Sequence, residues 1–293
     1  MSGISRIRIT ALIDSIVHYE APIYAENGLS LFLELKSEDG LKTTILLDTG
    51  WTGDALLRNA KILDVDLSKL DAIVLSHNHY DHTGGLIKVL NAIENPIPVI
   101  VHPDVLKKKY AILPSLGIKK LTYTGPPYQW SEVEKHGGIL TFSSNSVPII
   151  ENVETTGEIP RRTEFEKVKG FYIIENGVFK EDYLPDDQAL IVKMADGGLV
   201  VLLGCCHSGV VNTVKYAMEI SKAEYLKAVI GGFHLIDADS ETIEKSISVL
   251  AEMKPEIVAP MHCTGLKAVM EIARKIPESF REFYCGMSIE IRI

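Results

Sequence analysis

Residues 76–85 read SHNHYDHTGG, and they place three histidines and one aspartate between His77 and His82. Neutral imidazoles and carboxylates are the ligands that zinc and similar divalent ions take in proteins. In an extended segment His77 and His79 lie on the same side, while Asp81 and His82 follow where the chain turns towards a helix. Two pairs of ligands this close suit two adjacent ions, which can hold a bridging water and polarise the group that it attacks. The segment therefore predicts a site for divalent metal ions.

The same design recurs further along the chain, as a short apolar strand whose far end carries a histidine. LKAVIGGFHL carries His234, PEIVAPMHCTG carries His262 and GLVVLLGCCHSG carries His207. In layered α/β folds, ligands and catalytic groups gather beyond the carboxyl ends of the strands. We therefore expect these histidines to meet the first cluster in one shared site. Asp48, which ends the strand TTILLD, is a candidate acceptor for the free ring N–H of a ligand histidine.

Alternating strands and helices must position these residues. Period-two and continuous apolar runs predict strands at 7–13, 29–36, 43–50, 70–77 and 98–102, with a hairpin turn at 37–40 between the second and third. Helical spacing predicts helices after Gly85 and at about 209–222, 240–253 and 265–276. The pattern loosens between about 111 and 185. We therefore predict a single domain over 1–293 with an inserted loop region at about 111–185 that carries substrate loops.

The composition fits one large globular domain, with 293 residues of which 46% are hydrophobic. A net charge of −9 disfavours nucleic acid as a partner, because such binding depends on lysine and arginine neutralising phosphates. The basic run 107–109 is interpreted as a solvated helix face. The first residues lack the pattern of a signal peptide, and we see no apolar run that could span a membrane. A cytoplasmic enzyme with reduced cysteines and no membrane partner is expected.

LLDTG at 46–50, SHNHYDHTGG and the later strand-end histidines resemble the metallo-beta-lactamase superfamily, over essentially the whole chain. The resemblance implies an α/β fold, a four-layer αββα sandwich of two mixed sheets flanked by helices, with metals at one edge. By that match His77 and His79 bind a first ion. Asp81 and His82 contribute to a second ion, which His262 completes.

The chain departs from the superfamily where members commonly bring a histidine in a Gly-His-Thr-like turn and then a bridging aspartate. The matching segments are PDDQALIV at 185–192 and LLGCCHSG at 202–209. We predict His207 as a metal ligand and keep Asp187 as the alternative, which leaves open whether one ion or two are bound. Histidine at position 79, where the diiron branch usually has glutamate, favours zinc and non-redox chemistry. Manganese, iron and magnesium are the alternatives.

A finer resemblance rests on TTGEIPRRTEFE, DDQAL, LLGCCHSG, GGFHL and PMHCTG. Together these resemble dihydropterin ribofuranosylaminobenzene phosphate synthases and general metal-dependent hydrolases. The synthase resemblance implies joining a 6-hydroxymethyl-dihydropterin pyrophosphate to an aminobenzene ribofuranosyl phosphate with loss of pyrophosphate, a step towards methanopterin. The alternatives are a phosphoesterase or other ester or lactone hydrolase, and a non-catalytic metal-binding scaffold.

A small phosphorylated substrate needs further contacts. Arg161 and Arg162 are candidates for phosphate binding, with solvated surface arginines as the alternative. Besides Asp81, which we predict to serve both metal binding and catalysis, Glu158 is a candidate general base or a simple loop acid. His234 is a candidate acid or phosphate contact, and a structural hydrogen bond is its alternative.

Overall fold

The computed structural model describes residues 2–293. The strands are β1 (Ile4–Ile13), β2 (Ser30–Ser37), β3 (Lys42–Leu47), β4 (Ala72–Val74), β5 (Ile97–Val101), β6 (Lys109–Leu113), β7 (Ile118–Tyr123), β8 (Gly138–Phe142), β9 (Pro148–Ile150), β10 (Val153–Thr155), β11 (Phe171–Glu175), β12 (Val178–Glu181), β13 (Leu190–Lys193), β14 (Gly198–Leu203), β15 (Tyr225–Gly232), β16 (Ile257–Met261) and β17 (Ser288–Arg292). The helices are α1 (Asp54–Ile62), α2 (Tyr80–Thr83), α3 (Leu86–Asn91), α4 (Trp130–Lys135), α5 (Val210–Ser221), α6 (Ser240–Glu252) and α7 (Leu266–Lys275).

Two mixed sheets face each other across a shared apolar core. The first sheet has the order β17-β1-β2-β3-β4-β5-β8 and the second β16-β15-β14-β13-β10-β9. Because side chains alternate along a strand, β2 sends Leu31, Leu33 and Leu35 into the core between the sheets and Phe32 to the opposite face. Val200 and Ile230 meet them from the second sheet, and burying such side chains stabilises each by about 1.5–3 kcal/mol.

Helices cover the outer face of each sheet. On the first sheet, α3 buries Leu86, Val89 and Leu90, which share one helix face. On the second, α5 buries Val210 and Val214 together with apolar residues of α6 and α7. The predicted αββα sandwich is therefore confirmed. No helix within residues 2–293 is long and apolar enough to cross a membrane.

The strand and helix predictions hold most closely near the candidate site. The predicted hairpin pairs β2 with β3, and α5, α6 and α7 begin and end within one or two residues of prediction. The N-cap of α6 is Asp239, whose carboxylate accepts from the amide of Thr242 at 2.7 Å. The strand predicted over 70–77 is shorter, since only Ala72–Val74 lie in β4. The residues after Leu75 leave the sheet and form the histidine loop.

The region predicted as an insertion at about 111–185 contains three different structures. β8 is the last strand of the first sheet, and β9 and β10 complete the second. The strands β12, β11, β6 and β7 form a separate four-stranded antiparallel sheet. Only this third sheet and its loops lie outside the sandwich, so the region is not one inserted unit.

The interpretation of residues 107–109 as a solvated helix face is wrong at Lys109. This lysine begins β6, its side chain is 1% exposed, and its ammonium lies 2.9 Å from a carboxylate oxygen of each of Asp104, Asp182 and Asp186. Burial alone would lower the pKa of Lys109, but the three carboxylates, Asp186 foremost, raise it above its ordinary value. The lysine therefore remains charged inside the protein.

Candidate metal centre

The predicted histidines converge at one edge of the sandwich. His207, His234 and His262 follow the adjacent parallel strands β14, β15 and β16, while His77 follows β4 of the opposite sheet. Ring centroids of His77 and His207 lie 4.8 Å apart, and those of His207 and His234 lie 4.0 Å apart. The rings of His82 and His262 lie 5.1 Å apart. The structure thus brings together side chains that are far apart in sequence.

The donor atoms of these side chains form overlapping groups, and within each group all donor atoms lie within 4.8 Å of one another. Two of these groups contain the predicted ligands: His77, His79 and His207 form the first group, and Asp81, His82 and His262 form the second group. Two further groups contain thiols: one is His77, His82 and Cys205, and the other is Cys205, His234 and Cys263. Among residues 2–293, Asp187 belongs to no such group. Its carboxylate accepts instead from the amide of Ser208 at 2.8 Å.

Asp48 orients two of the histidines, as the sequence predicts. Ser76 donates its hydroxyl proton to Asp48 Oδ2 at 2.7 Å, so its oxygen can only accept from His77 Nδ1, which lies 2.9 Å away. His82 Nδ1 lies 2.6 Å from the same carboxylate oxygen and donates to it. Both histidines therefore carry a proton on Nδ1. This arrangement gives Nε2 of His77, which lies 2.9 Å from His79 Nδ1, a lone pair that can bind a metal ion, and it aims His82 Nε2 at the second group.

Burial sets the protonation of the first group. It lowers the pKa of His79 to about 4 and holds those of His77 and His207 well below the ordinary value. At neutral pH these imidazoles are uncharged, which is the form that binds metal. In the second group, burial opposes the charge of His82, but Asp48 raises its pKa to about 9. Burial also opposes the charge of Asp81, yet His82 keeps the pKa of this carboxyl below its usual range.

The side chains fit a divalent cation. His79 Nε2, both ring nitrogens of His207 and His262 Nε2 are buried and have no hydrogen-bond partner within residues 2–293. An unpartnered buried polar atom costs about 1–3 kcal/mol, so cations bound by one ring nitrogen of His207 and by His262 Nε2 would remove part of this cost. Asp81 Oδ2 lies 3.5 Å from His262 Nε2 and 3.9 Å from His82 Nε2. Ligands held at about 2.0–2.2 Å around tetrahedral zinc lie roughly 3.3–3.6 Å apart, close to these separations.

The backbone is strained where it delivers these groups. Asp48, Cys206, His234 and His262 have φ angles of 60°, 62°, 47° and 46°, which lie in the left-handed region. Such conformations cost on the order of 1–3 kcal/mol for residues with a side chain and persist where the surroundings impose them. All four residues lie just beyond strand ends, so the strain accompanies the turns that aim side chains at the metal centre.

The predicted substrate residues have other partners. Arg162 forms an ion pair with Glu219 at 2.5 Å on the surface of α5, and its contact with phosphate stays a prediction. Arg161 donates to the carbonyl oxygens of His207, at 2.7 Å, and Tyr183. These hydrogen bonds hold the backbone that carries His207. The carboxylate of Glu158 is 56% exposed and belongs to no donor group of the described residues. Its proposed role as a base gains no support from this position.

Two cysteines that are not among the ligands predicted from the sequence also lie beside the candidate metal centre. Cys205 and Cys263 are buried free thiols, and Cys205 Sγ lies 3.2 Å from His82 Nε2. Their signal was present in the sequence, because Cys205 opens the segment that replaces the bridging aspartate.

A cavity of about 660 Å³ opens beside the metal centre and is a candidate substrate site. His207 and His234 form part of its wall, and three lysines, Lys167, Lys169 and Lys245, line it as well. Small-molecule sites commonly have about 300–1,000 Å³, so this volume suits a small organic substrate. The same wall carries five carboxylates, those of Glu164, Glu166, Asp237, Asp239 and Glu241, so it presents charges of both signs.

We expect Asp48→Ala to weaken metal binding by about 10–100-fold, because it removes the carboxylate that accepts hydrogen bonds from His82 and Ser76. Competition with a chromophoric chelator measures this affinity. Asp71→Ala is the matched control, since Asp71 is an exposed aspartate that also accepts from a backbone amide, that of Thr44, at 2.7 Å. Equal affinity in both variants would show that Asp48 does not orient the ligands.

A family model, curated sequences and solved structures all relate this chain to metallo-beta-lactamase-like proteins. Residues 26–170 match the family model of the metallo-beta-lactamase superfamily. A curated relative from Methanocaldococcus jannaschii, 7,8-dihydropterin-6-methyl-4-(beta-D-ribofuranosyl)-aminobenzene-5'-phosphate synthase, is 34% identical over 98% of this chain and 97% of its own length. A crystal structure described as a metal-dependent hydrolase of the beta-lactamase superfamily has a TM-score of 0.81 and 28% identity, covering 98% of this chain and 100% of its own. Zinc-bound PqqB from Methylobacterium extorquens shares the fold alone. It has 11% identity and a TM-score of 0.54, and the match covers 97% of this chain and 100% of its own.

Proposed function

The chain belongs to the metallo-beta-lactamase superfamily, and from that premise we propose that it is a synthase joining a dihydropterin pyrophosphate to an aminobenzene ribofuranosyl phosphate. The observation that carries the proposal is the 34% identity to the archaeal synthase, which extends over 98% of this chain. The aligned region covers the segments that carry the candidate metal ligands and the cavity wall. The products are the joined pterin and pyrophosphate.

The metal centre suits a reaction with a pyrophosphate leaving group. A divalent ion held by the first or second group, with zinc as the proposed metal, would withdraw charge from that leaving group. Lys167 and Lys169 line the cavity, where their ammonium groups would offset phosphate charge. The ammonium of Lys245, which also lines the cavity, pairs with Glu241 at 2.6 Å. Lys167 and Lys169 join the two arginines as proposed phosphate contacts.

His234 is the proposed proton acceptor. It lies on the cavity wall beside His207, and its Nδ1 is buried without a partner in the described part of the chain. In the proposed reaction the amine nitrogen bonds to the pterin methylene carbon as the carbon–oxygen bond to pyrophosphate breaks. The pyrophosphate leaves with that electron pair, and the nitrogen gives its proton to His234.

The third sheet supports transfer to an amine over transfer to water. Phe171, at the start of β11, stacks on His79 with ring centroids 5.0 Å apart and planes inclined by 24°. The same ring lies 5.0 Å from His207. An apolar ring over the first group excludes water from that side of the site, which favours the amine as nucleophile.

Hydrolysis of a phosphoester is the second candidate function. It is favoured by the similarity to the structure described as a metal-dependent hydrolase, with a TM-score of 0.81 over 98% of this chain. The same donor groups and cavity would serve either reaction, and the nucleophile distinguishes them.

The test is the release of pyrophosphate by purified, metal-loaded protein given both proposed substrates. We expect equal amounts of pyrophosphate and joined product, and no release when the amine is omitted. Release without the amine, or cleavage of bis(p-nitrophenyl) phosphate alone, would favour the hydrolase and exclude the synthase. Full metal loading with no turnover of either substrate would identify a binding scaffold.

A further inference from the structure

We propose that Cys205 is a metal ligand whose thiolate bridges the two ion positions of the metal centre. Its sulfur shares a donor group with His77, from the first group, and His82, from the second group, all within 4.8 Å. A donor that reaches one member of each group lies between the two positions. The inference concerns the metal centre itself, so it does not depend on which reaction the enzyme catalyses.

The loop geometry brings the sulfur into this position. Cys205 follows Gly204 at the end of β14, and a Cβ on Gly204 would lie 2.0 Å from Ser76 Oγ and 2.9 Å from Asp48 Oδ2. Any side chain at 204 would therefore push the loop away from the Asp48–Ser76 pair. Glycine permits the close approach that sets Cys205 Sγ 3.2 Å from His82 Nε2.

The opposite side of Cys205 is held by a second thiol. Cys263 donates to the carbonyl oxygen of Cys205 at 3.4 Å, and its sulfur and His234 form a donor group with Cys205. A Cβ on Gly232 would lie 2.7 Å from Cys263 Sγ, so this thiol is closely packed against β15. The supporting contact fixes the Cys205 backbone and leaves its sulfur facing the histidines.

A simple S–H hydrogen bond to His82 would explain only one of the contacts in this site. It leaves the buried nitrogens of His79, His207 and His262 without partners among residues 2–293. Ions at the two positions would give one ring nitrogen of His207 and Nε2 of His262 a partner. On binding, the S–H bond of Cys205 breaks, the proton passes to solvent, and the sulfur lone pairs bind the ions. Because thiolate is a soft ligand, we expect zinc, cobalt or iron(II) to bind in preference to magnesium.

The test uses the full-length protein loaded with cobalt(II) alone. We expect two cobalt ions per chain and a sulfur-to-cobalt charge-transfer band in the near ultraviolet. The band should disappear in Cys205→Ser, whereas Cys205→Asp should keep two ions without the band. Cys206→Ser is the matched control, because its neighbouring buried thiol pairs with Thr213 Oγ1 at 3.2 Å and should not affect the band.

Several results would overturn the inference. A wild-type protein without the band has no thiolate ligand, and this holds even if Cys205→Ser fails to fold. Persistence of the band in Cys205→Ser, with its loss in Cys263→Ser, would assign the ligand to Cys263. One cobalt per chain with the band present would exclude a bridge. A protein that releases no pyrophosphate would still show the same cobalt content and charge-transfer band. The synthase proposal and the Cys205 proposal are therefore tested independently.

Discussion

Replacing His79 with alanine should lower the turnover number by more than about 100-fold and remove at least one metal ion per chain. His79 is 5% exposed, its Nδ1 lies 2.9 Å from His77 Nε2, and both belong to the first group with His207. Alanine supplies no donor, so an ion at this position would lose one of its three histidines. Metal analysis by mass spectrometry and the pyrophosphate assay measure the two effects.

His136→Ala is the matched control for this variant. His136 is exposed, its Nδ1 contacts Asn91 Oδ1 at 2.6 Å, and it belongs to no donor group of the described residues. We expect it to keep full metal content and full activity. If His79→Ala retained the same metal content as this control, His79 would not be a ligand.

Replacing Lys109 with alanine should lower the free energy of unfolding by about 3–5 kcal/mol. The change leaves Asp182 and Asp186 buried without their counter-charge, while Asp104 keeps its ion pair with Lys107. It also reaches the metal centre, because Asp186 accepts from the amide of Asn78, between His77 and His79, at 2.8 Å. Urea unfolding measures the loss, and a chelator titration should show weaker metal binding.

Lys108→Ala is the control for Lys109→Ala, since Lys108 is the exposed neighbour. A surface substitution of this kind changes the free energy of unfolding by no more than about 0.5 kcal/mol. Equal stability of the two variants would mean that the buried ion pairs do not hold the third sheet against the sandwich.

Much of the sandwich and the candidate site could be predicted because the signals are local. The alternation in LSLFLELK and the apolar spacing after Gly85 reflect which face of each element is buried. The histidines at 77, 207 and 262 follow apolar strands directly, and the ends of parallel strands meet at one edge of a sheet. Local sequence therefore fixed both the elements and the direction of these side chains.

The local sequence shows less where a residue's surroundings come from distant parts of the chain. Lys109 looks solvated within its basic run, because two of its partners, Asp182 and Asp186, are more than seventy residues away. The Glu219 partner of Arg162 is likewise 57 residues away, so the local sequence does not show this ion pair. The histidines near Cys205 also come from distant segments, since packing between the two sheets brings His77 and His82 to it.

The central claim is that the two groups at this edge bind divalent ions, and an anomalous-scattering map of zinc-loaded crystals tests it most directly. We predict one peak within bonding distance of His77, His79 and His207, and a second near Asp81, His82 and His262, roughly 3.5–4 Å from the first. A map with no peak at these side chains, or with zinc only elsewhere on the surface, would contradict the claim.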